Sequence, residues 1–303
     1  MNLKSIWSAL EESSEILFDN YGYPAADKVA EELSLPPGYY AWVTVIWLFD
    51  ATPFSIAKFM RYFPYGLAQV NDERLTTAVQ QGYLASEGQG KYRATESGIT
   101  AALRLIQAGN NDMAALAPMP KESLRALGNL LARISDAAFN LPEPPAHVLI
   151  KAKRDLYERT GTFAALEGFP AYCLLLEGHR DDCYFATWSA HRVEGHTWEV
   201  LDALSQSDAL TFDDLHAKLS RRGVTDEVHT GDVKELVGRG WAEDASGEIQ
   251  ITSAGKQVRA EVEAETERLF FAPWSCLNES ELEELSSLAS QLRDGVCALD
   301  EQK

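Results

Sequence analysis

What the chain is short of sets the first limits. Basic residues are scarce: 27 Lys and Arg stand against 46 Asp and Glu in 303 residues, a net charge of −19. The deficit is uneven, with 11 basic and 16 acidic residues up to position 150 and 16 and 30 beyond it. Holding nucleic acid by bulk charge needs concentrated Lys and Arg, so that mode is excluded. Long apolar runs are missing too. The longest, Tyr39 to Phe49, falls well short of the ~20 residues that span a bilayer, so no membrane segment is expected. The opening MNLKSIWSALEESSEILF mixes acidic residues into its apolar pattern, unlike a signal peptide, and a cytoplasmic protein is expected. The four cysteines (Cys173, Cys183, Cys276 and Cys297) form no CxxC pair and read as idle thiols of a reducing compartment. P-loop, dinucleotide fingerprint and nucleophile elbow are all absent, so no cofactor is expected, no catalytic residue is assigned, and a non-enzyme is favoured.

What is present is self-similarity. Tyr92-Arg93-Ala94-Thr95-Glu96-Ser97-Gly98 and Ile249-Gln250-Ile251-Thr252-Ser253-Ala254-Gly255 each precede a helical run, at an offset of 157. Val79 to Tyr83 matches Val237 to Trp241 at 158, Trp42 and Leu48 match Trp198 and Leu204 at 156, and Leu124 matches Leu282 at 158. Four ordered matches at nearly one offset predict a tandem duplication.

Each copy reads alike. A first helix covers Trp42 to Phe49, or His196 to Ser205. A short second helix follows, opened by Pro53 in one copy and by Thr211 in the other. The third runs from Asp72 to Gln81, or from about His229 to Arg239, and stops at a Gly before an aromatic (Gly82-Tyr83, Gly240-Trp241). Hairpins then span Leu84 to Ala94 and Ala242 to Ile251, with glycines near their tips. Thr-x-x-Gly opens a longer helix, and an amphipathic helix (Ser123 to Phe139, Glu281 to Val296) closes each copy. The expected fold class is mainly α with small β-wings (α+β). Two tandem winged helix-turn-helix units pack as an intramolecular pseudo-dimer, because the linker at residues 140–145 is short. The first unit with its flanking helices takes residues 1–140. The second takes 141–303, with an inserted or diverged helical segment at 146–195.

The wing and following helix, Gly-Tyr-Leu…Tyr-Arg-Ala-Thr-Glu-Ser-Gly and Gly-Trp-Ala…Ile-Gln-Ile-Thr-Ser-Ala-Gly, resemble those of MarR-type (multiple antibiotic resistance) regulators. Leu277 to Leu285 resembles that family's C-terminal dimerisation helix. The resemblance covers roughly residues 40–139 and 196–295. It implies a transcriptional regulator that places helix three in the major groove of double-stranded DNA, with the wing reaching the backbone or minor groove. On this chain the DNA contacts would fall to Arg74, Thr76, Thr77 and Gln80 of helix three and to Lys91 and Arg93 of the wing. The second copy is poorly suited, since its wing carries Glu243, Asp244 and Glu248 and no base. The family's acidic-x-Arg wing pattern is absent from both copies.

Residues 146–195 match the first copy poorly and are where acquired function is expected. Lys151 to Arg159 is the most basic stretch, most simply the solvated face of an amphipathic helix. Three of the six histidines (His179, His191, His196) follow within eighteen residues, among carboxylates and aromatics. If helical, His179, Asp182 and Cys183 share a face. No HxxxH or HExxH spacing occurs, so no metal site is assigned. MarR-type proteins bind small aromatic effectors between winged helix and dimer helices. A pocket of His179, Arg180, Tyr184, Trp188, His191, Arg192 and Trp42 would suit an aromatic or anionic ligand. The alternative is a derived winged-helix protein that binds no DNA and serves as a ligand-binding, protein-interaction or catalytic module through residues 177–196.

Overall fold

The computed structural model describes residues 2–35, 39–49, 51–144, 146–207, 209–245 and 247–301, without the side chains of 40–42, 45, 47, 162–164 and 221. The chain is mainly helical with two small antiparallel sheets, an α+β, winged-helix-like architecture.

The first half opens on α1 (Leu3–Leu17), capped by the Asn2 side chain, and continues through a π-turn at Phe18–Gly22 into α2 (Tyr23–Glu32). After α3 (Tyr40–Phe49) come β1 (Phe54–Ser55), α4 (Ile56–Phe59) and α5 (Ala68–Gln80). The wing is β2 (Leu84–Gly88) and β3 (Lys91–Ala94), with β1 on the far side of β3. Then follow α6 (Glu96–Ala114) and the amphipathic α7 (Lys121–Asn140).

The second half runs α8 (Val148–Thr160), α9 (Phe169–Ser189), α10 (Gly195–Ser205), α11 (Phe212–Leu219) and α12 (Asp226–Gly238). Its wing is β4 (Ala242–Ala245) and β5 (Glu248–Ile251), followed by α13 (Ser253–Phe271) and α14 (Glu279–Asp300).

Small polar contacts explain why the wings and their following helices form where they do. Thr95 and Thr252 sit extended before α6 and α13, and each hydroxyl accepts from the amide three residues on, Gly98 or Gly255. This satisfies an amide that the helix start leaves bare. Each threonine hydroxyl also donates to the carbonyl that ends the third helix, Thr95 to Gly82 (2.7 Å) and Thr252 to Gly240 (2.6 Å). A Cβ on Gly98 or Gly255 would stand 2.1 or 2.2 Å from the carbonyl oxygen of Tyr83 or Trp241, so only glycine fits. Phe54 pairs with Tyr92 in the first sheet, and Leu210 bridges to Ile249 in the second.

Two boundaries differ from the sequence reading. Pro53 does not open the second helix: Phe54 and Ser55 are drawn into the sheet by β3, and the Ser55 hydroxyl caps α4 at the Lys58 amide. The third helices begin earlier than expected, at Ala68 and Asp226. In α12 the cause is Thr225, which caps the Val228 amide, with Asp226 and Glu227 favourably placed in the first turn. Residues 146–195 form α8 and α9. α9 packs on α13 much as α2 packs on α6.

A large apolar core crosses the two halves. It joins Trp7, Leu10 and Leu17 of α1, Leu127 and Leu131 of α7, Phe169 and Leu176 of α9, Phe270 of α13, and Leu285 and Leu292 of α14. Separate clusters lie under each wing, one around Phe54, Leu75 and Leu84, the other around Trp198, Leu215 and Ile249. Close helix approaches tie the centre together. A Cβ on Gly295 of α14 would meet the Pro118 carbonyl oxygen at 1.9 Å, and one on Gly128 of α7 the Glu167 oxygen at 2.2 Å.

Candidate nucleic-acid interface

Burial of Leu75 and Ala78 fixes which face of α5 looks outward. The 3.6-residue period then turns Arg74, Thr76, Thr77 and Gln80 to solvent, and all four are exposed. Lys91 and Arg93 alternate along β3 with buried Tyr92 and Ala94 and are exposed as well. Helix and wing are bolted together, because the Tyr92 hydroxyl donates to Asp72 at 2.7 Å and lies 3.3 Å from the Thr76 hydroxyl. The Tyr92–Asp72 link had no signal in the sequence beyond strand alternation. Not all of the positive charge is available: Arg93 is paired with Glu87 across the wing at 2.7 Å.

The second half presents a helix and wing, α12 with β4 and β5, of different surface. Asp232, which aligns with Arg74, turns inward and is buried; its carboxylate bonds the His196 ring and the Thr197 hydroxyl, both at 2.7 Å. That contact pulls the His196 pKa above its ordinary value. His216 pairs with Asp226 at 2.6 Å, and its ring stands 5.6 Å from that of buried His229. Arg239 is committed to Glu235 and to the carbonyls of His191 and Arg192. The exposed wing carries Glu243, Asp244 and Glu248. Among the described residues no group of three or more His, Cys, Asp or Glu is arranged to hold a metal ion.

The halves also meet beside α5. Tyr65 sits against Phe185 and Trp188 (ring centroids 5.7 and 6.1 Å), with the Arg222 guanidinium over its ring. A Cβ on Gly195 would strike the Pro64 carbonyl oxygen at 2.1 Å. One on Gly223, which has φ +71°, would lie 2.8 Å from Val70 and 3.5 Å from the Arg74 guanidinium. The turn before α5 is therefore braced by the second half.

Of the residues expected to line a ligand pocket, Tyr184, Trp188 and His191 gather around Trp198, while His179 and Arg180 lie elsewhere. His179 and His191 are twelve positions apart, about 18 Å along a helix. His179 is fully buried in the shared core, 6.1 Å from Phe270 and with Nε2 3.7 Å from the Cys183 sulfur; burial, with His147 nearby, lowers its pKa to about 4. Asp182, on the same face, accepts from the amides of Leu149 and Ile150 and so caps α8. Arg180 pairs with Glu263 at 2.8 Å. Tyr184 donates to Asp202 and accepts from Trp198 and Arg259, inside the second winged unit's core. Trp188 stacks on Trp198, as does His191, and Arg192 contributes its carbonyl to Arg239. The Trp42 side chain lies outside the described residues. The basic stretch in α8 is spent locally, Lys151 on Asp155 and Arg154 on Glu158 and Asp136.

A model of a helix-turn-helix family matches residues 91–301, more than two thirds of the chain. The chain belongs to that family. The match begins at β3, so in this helix-turn-helix protein it takes in α11 and α12 but not α4 and α5. No curated protein and no solved structure matches the chain. No helix among the described residues is long and apolar enough to cross a membrane.

Proposed function

We propose that this helix-turn-helix protein is a DNA-binding regulator of MarR-like type, in which the first half reads DNA and the second is its structural partner. Two winged units in one chain act together as an intramolecular pseudo-dimer. The recurrent Thr-to-Gly cap, the paired glycine contacts and the core shared across the halves support that arrangement. The observation that carries the reading is the contrast of faces. α5 and its wing expose Arg74, Thr76, Thr77, Gln80, Lys91 and Arg93, whereas α12 buries Asp232 and its wing exposes carboxylates. Arg and Gln on a helix in the major groove bond base edges and phosphates, and bases on a wing reach the backbone.

The test is fluorescence anisotropy with duplexes from the chain's own upstream region, titrated against salt. Three phosphate-contacting cations predict a slope of log K on log salt of about −2 to −3. Replacing Arg74, Lys91 and Arg93 by Ala should abolish binding. No binding at about 50 mM salt, where such contacts are strongest, would sink the reading. It would favour the second one, a derived helix-turn-helix protein that binds a small molecule. That alternative draws on the cavity described next.

A further inference from the structure

An apolar cavity of about 90 Å³, several times the space one water needs, lies where the first half meets α8 and α9. It lies between the winged unit and the central helices, walled by α2, α3, α6, α8 and α9. Two glycines bring its walls together: a Cβ on Gly109 of α6 would meet the Gly22 carbonyl oxygen at 2.8 Å. No Asp, Glu, Lys or Arg is among its lining residues, and one buried donor, the Asn110 side-chain nitrogen, has no hydrogen-bond partner.

Phe18, Tyr23 and Leu174 line this cavity and also line a second cleft, of about 300 Å³, between α1 and α9. There the chemistry reverses. Glu11, Glu15, Asp19, Glu177 and Asp181 face it, with Arg180 as the one cation among the lining residues. Arg180 is already paired with Glu263, and Lys153, behind the cleft, stands 3.8 Å from Glu177. Burial and mutual repulsion push the carboxyls of Glu11 and Glu177 above their ordinary range, and burial does the same at Asp181. The Trp7 indole, on a side chain 5% exposed, lines the same cleft beside Glu11. At the junction the rings of Phe18 and Tyr23 lie 5.8 Å apart, and Tyr23 is 46% exposed. Carboxylates beside aromatic faces are what an organic cation seeks.

We propose that the junction of the two halves binds a lipophilic organic cation, its apolar body in the cavity beside Gly22 and Gly109 and its ammonium group among Glu11, Glu177 and Asp181. Charge complementarity selects this occupant. An anion meets five carboxylates at the mouth and no cation inside, and a neutral molecule leaves the carboxylate charge uncompensated. The inference stands independently of whether α5 reads DNA. It differs from the anionic or aromatic effector expected around His179 and Arg192.

The test uses three probes of one shape, 4-phenylbutylamine, 4-phenylbutanol and 4-phenylbutyrate, titrated into the full chain by calorimetry at neutral pH. The amine should bind about tenfold or more tightly than the alcohol, and the butyrate weakest. Glu177→Gln with Asp181→Asn should bring the amine to the alcohol's affinity and leave the alcohol unchanged, which also shows that the variant is folded. Ala26→Phe, which fills the cavity, should weaken amine and alcohol alike. Butyrate binding as tightly as the amine, an amine affinity indifferent to the double substitution, or no amine binding at millimolar concentration would overturn the proposal. None of these outcomes depends on DNA.

Discussion

The helix-and-wing segments of the two halves make the same local contacts and differ in surface charge: Arg74, Lys91 and Arg93 balance Asp72, Glu73 and Glu87 in the first, whereas the second is acidic. Thr95 and Thr252 make the same bonds, Gly98 and Gly255 admit the same carbonyl, and Phe54 and Leu210 reach the same strand position. At positions that face outward in the first unit, Arg74 becomes Asp232 and Lys91 becomes Glu248. What must be kept to form a wing is therefore a small set of caps, glycines and apolar contacts. The outward positions are free to diverge, and they carry the difference in charge.

The largest effects should come from breaking what the halves share. Gly98→Ala and Gly255→Ala each force a methyl onto a carbonyl oxygen at 2.1–2.2 Å, and each should cost about 3 kcal/mol or more in urea unfolding. A tolerated alanine at either position would show that the wing can shift, which the shared geometry forbids. Next come the positions where the halves differ. Asp232→Ala strips His196 and Thr197 of their buried partner and should cost about 1–3 kcal/mol. Arg74→Ala, at the aligned and exposed position, should cost less stability than Asp232→Ala while weakening DNA binding. Equal stability losses would erase the distinction between a structural and a reading helix.

One pH effect comes from the second half. Because Asp232 raises the His196 pKa above 6.5, the stability it adds is complete below that value. It is lost as pH rises through the raised value, the sign expected when the folded state binds the extra proton. Asp232→Asn should flatten this part of the unfolding free energy between pH 6 and 8; an unchanged profile would remove His196 as its source. The smallest effect is at the wings. Glu87→Gln releases Arg93 from its 2.7 Å pair and should raise DNA affinity about twofold, whereas Glu248→Lys in the other wing should leave it unchanged.

Much of this fold was legible because its signals are local. Thr-x-x-Gly before a helix, Gly before an aromatic at a helix end, and a hairpin with glycines at its tip each declare themselves within a few residues. Ser55 and β1 were missed because Pro53 offers a plausible helix start, and only the distant β3 overrules it. The candidate DNA face could be read from the sequence, since helical period alone brings Arg74, Thr77 and Gln80 to one side. The cavity and its acidic mouth could not. Gly22 and Gly109 are far apart in the chain, as are Glu11 and Glu177, and only tertiary packing brings each pair together. The histidine grouping looked compact in sequence for the opposite reason: a long helix separates residues that a short stretch of text brings together.

The central claim is that one half reads DNA and the other supports it. Hydroxyl-radical footprinting on a bound upstream duplex tests this most directly. The account predicts protection of the sugar–phosphate backbone flanking one major groove, on a site without two-fold symmetry. Symmetric protection of two half-sites one helical turn apart, about 10 base pairs centre to centre, would mean that α12 reads DNA as well, and would contradict it.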